Sequence, residues 1–534
     1  MRCWRTVALV ALLCAPAGAL AQGASTSFGG GDPVGVFEPL ESRETVQVRI
    51  ATGALASHVL RLRLDLMGSL EVGRRVTLRY SPTDQWEGTV QRVERRGADS
   101  FSVFGTIDGA HRGWFIFTID AGGFMGSVQI PESRLMADLR NIQGDVYALH
   151  VFDSGTVGRF DCGVQPLSDD QTPFDTESRL PDLTPTASTI PQHDVIVAYT
   201  QGLANDFPIH YPNTPLETAI QFLVDYANQS YANSGVALRM RLAYRGLVPG
   251  FSEAGRDRGW LLDNLTGAAD GFMDQVHGWR TTYHADVVCL MYSLDTQLSG
   301  GGGLAWLLDP PTFNSGNPSN WYGSAFCVVE GLWAPNDWTP PVSGMAVTEF
   351  THEIGHTQGL GHNCQDGPGV PVSSYAYGWR FTGNSGTKYI TIMSYLTGAF
   401  ADATIIPHFS NPSVFFEGQA TGNAATAGCA GTTGANNAGS LSLTADYMSR
   451  LHLRPLDPWV DFNYGGATVN GRFEAPWKTL PAAIGDLPFT DSQHTPMPPT
   501  LGLKGPASSG TQTITLNKRM ILEAHGGTVR IGAP

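Results

Sequence analysis

Lysine is almost missing from this chain. Only Lys388, Lys478, Lys504 and Lys518 occur, so nearly all of the 33 basic side chains are arginine. The 48 acidic residues outnumber them, the formal net charge is −15, and there is no basic run. These shortages exclude general binding to a phosphate backbone, and no nucleic-acid partner is expected. Charged residues make up 15% of the chain against 42% hydrophobic, which is too apolar for wholesale disorder. Long apolar runs are lacking too. The stretch from Val7 to Ala15 is too short for a bilayer, and no later one approaches ~18 residues, so no membrane span is expected.

Chain punctuation is plentiful, with 63 Gly and 34 Pro among 534 residues. That favours many turns and short strands over helical bundles, spread across several domains. At the N-terminus, Arg2 and Arg5 precede the apolar run, and Ala19-Leu20-Ala21 closes it. A basic start, a short apolar centre and an A-x-A end read as a secretory leader over residues 1–21, cut before Gln22. The mature protein is therefore expected to be secreted. Export gives the cysteine count a meaning. Cys3 and Cys14 leave with the leader, while Cys162, Cys289, Cys327, Cys364 and Cys429 remain. An odd number leaves one thiol over in an oxidising compartment. The simplest parsing is two disulfides among the last four, in any of three pairings, with Cys162 free.

Five stretches follow the leader's end. Residues 22–42 are rich in Gly and Ser and read as flexible. From about 43 to 160 the runs Val46–Ile50, Val59–Leu64, Phe101–Phe104 and Trp114–Phe117 lie between turns, a small antiparallel β domain. Residues 163–192 lose periodicity and read as an exposed linker. The segment 193–455 alternates strand and helix. Val195–Tyr199, Val236–Tyr244, Ala285–Tyr292 and Gly302–Leu308 are the predicted strands. Thr214, Pro215 and Glu217 form a capping box that opens a helix, with Leu216, Ile220, Leu223, Ala227 and Tyr231 on its apolar face. A last helix carries Leu443, Tyr447 and Leu451 and stops at Pro455. Residues 456–534 show short β runs without helical periodicity, a separate β-rich module.

The chemistry is concentrated in Thr351-His352-Glu353-Ile354-Gly355-His356-Thr357-Gln358-Gly359-Leu360-Gly361-His362. His352 and His356 share one helix face, where two neutral imidazoles can hold one Zn²⁺. Glu353 follows the first ligand and can serve as general base. Gly359 can take positive φ, end the helix and bring His362 round as third ligand. The fourth position stays open, as catalysis requires. A closed structural zinc site would want four side chains, commonly cysteines; only Cys364 is near in sequence, and Glu353 would then have no role. His193, His210, His277, His284 and His408 read as ordinary hydrogen-bonded histidines.

This HExxHxxGxxH string resembles that of the metzincin metalloproteases. The resemblance implies an α/β catalytic domain with a twisted mixed sheet plus helices, one catalytic zinc, and protein or peptide substrates. Thr391-Ile392-Met393-Ser394-Tyr395 matches the methionine turn of that family. Met393 is then expected beneath the histidines as an apolar floor, and Tyr395 to reach the zinc or the oxyanion. The stretches 194–199, 226–236, 270–277 and 406–412 are similar to bacterial secreted reprolysin-like and peptidyl-Asp metalloendopeptidases, over roughly 193–455. Asn363 stands where reprolysins usually carry Asp. The same likeness makes Gly302–Trp306 the exposed edge strand, with Gly303, Leu304 and Ala305 receiving substrate by β-augmentation. It makes residues 396–412 the wall of the pocket beyond the cut.

Arg159-Phe160-Asp161-Cys162-Gly163-Val164 resembles the propeptide cysteine switch of metzincins, although Arg159 lies three residues before the cysteine instead of one. A thiolate is a good fourth zinc ligand, so the propeptide at 22–192 is expected to be a partner of the catalytic domain and to keep it latent. Residues 459–463 and 472–480 resemble the opening of right-handed β-helix domains, which bind or cleave polysaccharide, so glycans are a further partner class. Calcium binding and oligomeric state are not readable. A rival reading is a surface adhesin or glycan-binding protein with an inert domain of this fold; Glu353 speaks against it, because an inert scaffold needs no base.

Overall fold

The computed structural model describes residues 32–40, 51–155, 162–165 and 191–532, less short stretches within those ranges, among them 294–301, 334–343, 425–433, 452–457 and 488–498. The leader at 1–21 and the expected strand Val46–Ile50 lie outside the described residues. No helix among the described residues is long and apolar enough to cross a membrane.

The N-terminal part is a closed barrel of nine strands: β1 (Val34–Pro39), β2 (Ala56–Leu62), β3 (Arg75–Arg79), β4 (Gln85–Gly97), β5 (Ser100–Ile107), β6 (Gly113–Asp120), β7 (Gly123–Ile130), β8 (Leu135–Gln143) and β9 (Val146–Asp153). Its order is β1-β2-β9-β8-β7-β6-β5-β4-β3. Every pairing is antiparallel except β1 with β3, which closes the barrel in parallel. The structure corrects one boundary: β1 starts at Val34, inside the stretch expected to be flexible. Its alternation is short, but Val36 and Phe37 are both buried and close the barrel. Closure removes the exposed edges that an open sheet would present.

Strand β6 shows how the sequence encodes more than a barrel. Phe115 and Phe117 point into the interior, beside Phe37 and Phe124. Trp114 and Ile116 alternate to the other face and join the core of the next domain, with Phe104 and Met125. A strand apolar on both faces must be covered on both. Gly105, paired with Phe115, makes room for that ring, because a Cβ there would lie 2.1 Å from it.

The second domain holds a six-stranded sheet of β10 (Gly163–Gln165), β11 (Gln192–Tyr199), β12 (Arg239–Leu247), β13 (Val287–Tyr292), β14 (Gly303–Trp306) and β15 (Phe326–Glu330), in the order β10-β14-β15-β13-β11-β12. β14 runs antiparallel to β15, and the other pairs are parallel. Residues 163–165 are therefore a strand of this sheet, not linker.

The helix Leu216–Asn233 lies between sheet and barrel and is buried nearly all round. The expected capping box does not form. Pro215 is the cap residue, with no side-chain cap bond, and Glu217 instead accepts a hydrogen bond from the Tyr199 hydroxyl at 2.7 Å. Burial explains the difference, since a buried carboxylate takes the strongest donor in reach. The last helix, Asn437–Met448, buries Tyr447 but leaves Leu443 exposed. In the C-terminal module Trp459–Val460, Thr500–Lys504 and Ile521–His525 pair in parallel. The helix Leu480–Asp486 is buried against them at Leu480, Ala483 and Ile484, an element that was not expected there.

The two-disulfide parsing is also corrected. Cys364 is disulfide-bonded, but Cys289 and Cys327 are buried free thiols. They sit opposite one another on the parallel strands β13 and β15. Side chains of such neighbours stand side by side, a poor approach for the near-perpendicular torsion of a disulfide.

Barrel and second domain meet through buried charge. Arg96 lies 3.2 Å from Asp225, with 3% and 1% of the two side chains exposed. Thr118 donates to the same carboxylate at 2.7 Å, and Ser102 also donates to it. At the rim Arg239, 39% exposed, lies 2.6 Å from Glu94, while Arg245, fully buried, lies 2.5 Å from Asp120. Removing one partner of such a pair strands the other in a dry interface. Asp225→Ala should therefore cost the intact chain about 3–5 kcal/mol by denaturant titration. A loss below about 1 kcal/mol, the range of exposed pairs, would show that the seam is not desolvated.

Candidate metal centre

The helix Val347–Thr357 presents His352 and His356 one turn apart, both buried. It ends where expected: Gly359 takes φ +90°, and Leu360 N donates back to the Gly355 carbonyl at 3.0 Å. This left-handed cap reverses the chain and returns His362. His352 Nδ1 lies 2.7 Å from the Ile392 carbonyl, and His356 Nδ1 lies 2.7 Å from that of Leu360. A carbonyl only accepts, so both Nδ1 atoms carry the proton and both Nε2 atoms present lone pairs.

Those lone pairs converge. His352 Nε2 and His362 Nε2 each lie 3.0 Å from His356 Nε2. Cys162 Sγ lies 3.3 Å from the same atom, and one ligand atom from each of the four residues falls within 4.8 Å of the others. Burial, followed by the neighbouring rings for His356 and His362, holds the imidazoles far below their usual pKa, His352 at about 4. Neutral rings with lone pairs facing one another at this separation repel unless a cation lies between them. The donor set of three imidazoles and a thiol suits zinc. Burial also raises the Cys162 thiol, and Glu353 beside it adds to this; a bound cation would reverse that and favour thiolate.

Glu353 is fully buried, and neither carboxylate oxygen has a hydrogen-bond partner among the described residues. Burial raises its carboxyl to about 8, against smaller lowering by the Cys162 thiol and by Arg258. The side chain packs over Gly303, where a Cβ would come 2.3 Å from Glu353 Cγ. Met393 is fully buried under the helix, and a Cβ on Gly355 would lie 2.6 Å from its sulfur. The Tyr395 ring lies 4.2 Å from that of His362, and its hydroxyl donates to the Cys162 carbonyl. Asn363 accepts from Tyr395 N at 2.9 Å, so the atypical residue after the third histidine ties the methionine turn to it.

The expected substrate strand is present but not exposed. Gly163, Val164 and Gln165 of β10 pair in parallel with Leu304, Ala305 and Trp306 of β14. The segment that follows the thiol thus covers the edge expected to receive substrate. Arg258, Glu330 and Glu349 near the site escaped the sequence reading. Glu349 had a signal, four residues before Glu353 on one helix face; Arg258 had none.

This fold and this convergence fit the metzincin resemblance of the sequence, a candidate metallopeptidase site. Residues 191–409 match the protein-family model Reprolysin_5, described as metallo-peptidase family M12. The chain is similar to the peptidyl-Asp metalloendopeptidase of Stenotrophomonas maltophilia (strain K279a), 28% identical over 40% of this chain and 44% of that protein. It is likewise similar to the peptidyl-Asp metalloendopeptidase of Xanthomonas campestris pv. campestris, 27% identical over 40% of this chain and 43% of the other. The chain thus spans less than half the length of these relatives. Metalloproteinase-II from Bacteroides fragilis is 10% identical, covering 57% of this chain and 86% of that one at TM-score 0.30, too slight a likeness to bear on the fold.

Proposed function

We propose that this chain is the latent precursor of an exported zinc endopeptidase. In this reading residues 1–21 are the leader, 22–192 the barrel-bearing propeptide, 193–455 the catalytic domain and 456–534 an appendage. The observation that carries it is the convergence of His352, His356, His362 and Cys162 on one point. Bound there by the three histidines, zinc supplies a Lewis acid that polarises the scissile carbonyl and acidifies the attacking water.

The protein's own groups do the rest. Once β10 leaves, the backbone of Gly303, Leu304 and Ala305 takes an extended substrate as an added strand. Glu353 accepts the proton of the attacking water and passes it to the leaving nitrogen. The Tyr395 hydroxyl, which donates to a peptide carbonyl in the precursor, donates to the developing oxyanion during hydrolysis. Met393 keeps the floor beneath the histidines apolar. The relatives' printed activity suggests the substrate class: peptide bonds next to aspartate.

Chelation tests the reading. Dialysis of the activated protein against a zinc chelator should abolish cleavage of an aspartate-containing peptide, and stoichiometric zinc should restore it. Proteolysis that persists in metal-free protein would refute it.

A further inference from the structure

The helix Leu216–Asn233 carries the seam between the two domains. Among the described residues its Asp225 accepts from Arg96, Ser102, Thr118 and Gln221, and the first three of these stand on the barrel. Thr218 donates to the Asp120 carbonyl at 2.7 Å, and a Cβ on Gly123 would lie 2.4 Å from Pro215. Just before the helix, Tyr211 donates to Asp138 at 2.9 Å and its ring lies 4.6 Å from the Arg140 guanidinium. Apolar packing runs through the same surface. Phe104, Trp114, Ile116 and Met125 of the barrel belong to one core with Leu223 and Tyr226, and the rings of Trp114 and Tyr226 lie 5.9 Å apart.

Obligate interfaces resemble a domain core cut in half, and this seam has that character. Were the barrel to leave, Tyr211 and Tyr226, both buried, would lose the groups that cover them. Asp225 would keep only Gln221 of its described donors.

The strap over the metal is held by fewer contacts. Cys162 brings its thiol within 3.3 Å of His356 Nε2, and its carbonyl accepts from the Tyr395 hydroxyl. Gly163–Gln165 then pairs with β14 over three residues, in the parallel sense that is the weaker ladder. Strap and barrel thus address different surfaces. The barrel instead reaches the stretch expected to wall the substrate pocket, where Ser154 Oγ lies 3.1 Å from Thr404 Oγ1 and both residues are buried.

We propose that the barrel survives activation as a noncovalent subunit of the working protease, and that only the strap at 162–165 has to leave. The proposal rests on the latent-precursor reading above and adds the composition of the active form. Hydrolysis of one peptide bond on each side of the strap, with one water consumed at each, turns it into a short free peptide. That peptide loses the high local concentration its tether supplied. The barrel needs no tether, because its seat is a shared core with desolvated charge pairs that are costly to break.

The test uses the full-length, zinc-loaded chain, nicked by limited trypsin treatment after Arg159 and Arg179 and passed over a size-exclusion column at nanomolar load. The barrel and catalytic fragments should elute together in equal amounts, without the excised peptide by mass spectrometry, and that peak should carry the peptidase activity. Arg96→Ala should speed release of the barrel by about 30-fold or more, since truncating one partner of a buried charge pair acts on dissociation. Thr118→Val, which removes one donor to Asp225 at nearly constant volume, should speed it about tenfold. Arg79→Ala, at an exposed position of β3, should leave it within about twofold of wild type. Activity confined to the barrel-free catalytic fragment, or activity that rises as the barrel is lost, would overturn the proposal while leaving the protease reading intact. Release rates unchanged in both Arg96→Ala and Thr118→Val would overturn it as well. Silence of both the complex and the barrel-free fragment, with zinc bound, would overturn the protease reading and this proposal together. Far-UV circular dichroism of the uncut variants separates a weakened seam from a barrel that no longer folds, and Thr118→Val decides the matter if Arg96→Ala does not fold.

Discussion

Glu353→Gln should lower kcat/KM on the order of 10³-fold or more, with the zinc content of the activated protein unchanged. Glutamine keeps the length of the side chain and fits the space over Gly303, where the carboxylate now packs. It removes the ability to take a proton. The carboxylate is well placed for that duty, because no described side chain or backbone group saturates its two oxygens. A retained activity within about tenfold of wild type would show that another group moves the proton. Loss of zinc would show that Glu353 helps to hold the metal. Elemental analysis beside steady-state kinetics separates these outcomes.

The second large effect is expected from Cys162→Ala in the uncleaved precursor. The thiol lies 3.3 Å from His356 Nε2, close enough to share a cation with the three histidines. Its removal opens the fourth coordination position, and hydrolysis of a short peptide should rise on the order of 100-fold above the silent wild type. The rise should stay below that of fully activated protein, because Gly163–Gln165 still pairs with β14. Cobalt substitution supplies a second readout. The wild-type precursor should show a thiolate-to-cobalt charge-transfer band that Cys162→Ala lacks. A variant as silent as wild type, with the band intact, would remove Cys162 from the switch.

These effects arise from contacts that were legible to different degrees. The pair His352 and His356 could be read because a helix places residues four apart on one face. The return of His362 could be read because only glycine takes the left-handed cap readily, and Gly359 does so. Several barrel strands could be read from alternation, and β5 and β6 fall where expected. The second apolar face of β6 was visible as a run, Trp114-Phe115-Ile116-Phe117, but what covers it was not. The capping box at Thr214 and Glu217 failed for a related reason. Local preference placed Glu217 at a helix start, while burial beside Tyr199 gave it another partner. Cysteine counting suggested two disulfides but could not see that Cys289 and Cys327 stand side by side on parallel strands.

The sequence by itself determined the donor atoms: three imidazoles, the carboxylate between them and the turn that gathers them, all within twelve residues. Interactions of that range are governed by helical period and backbone conformation, which are properties of short segments. The tertiary structure alone decided that the thiol of Cys162 arrives at His356 from 194 positions away, that β10 lies on β14, and that Arg258 stands at Gly303. Such meetings are selected by which surfaces must leave water together, and no local pattern records that choice.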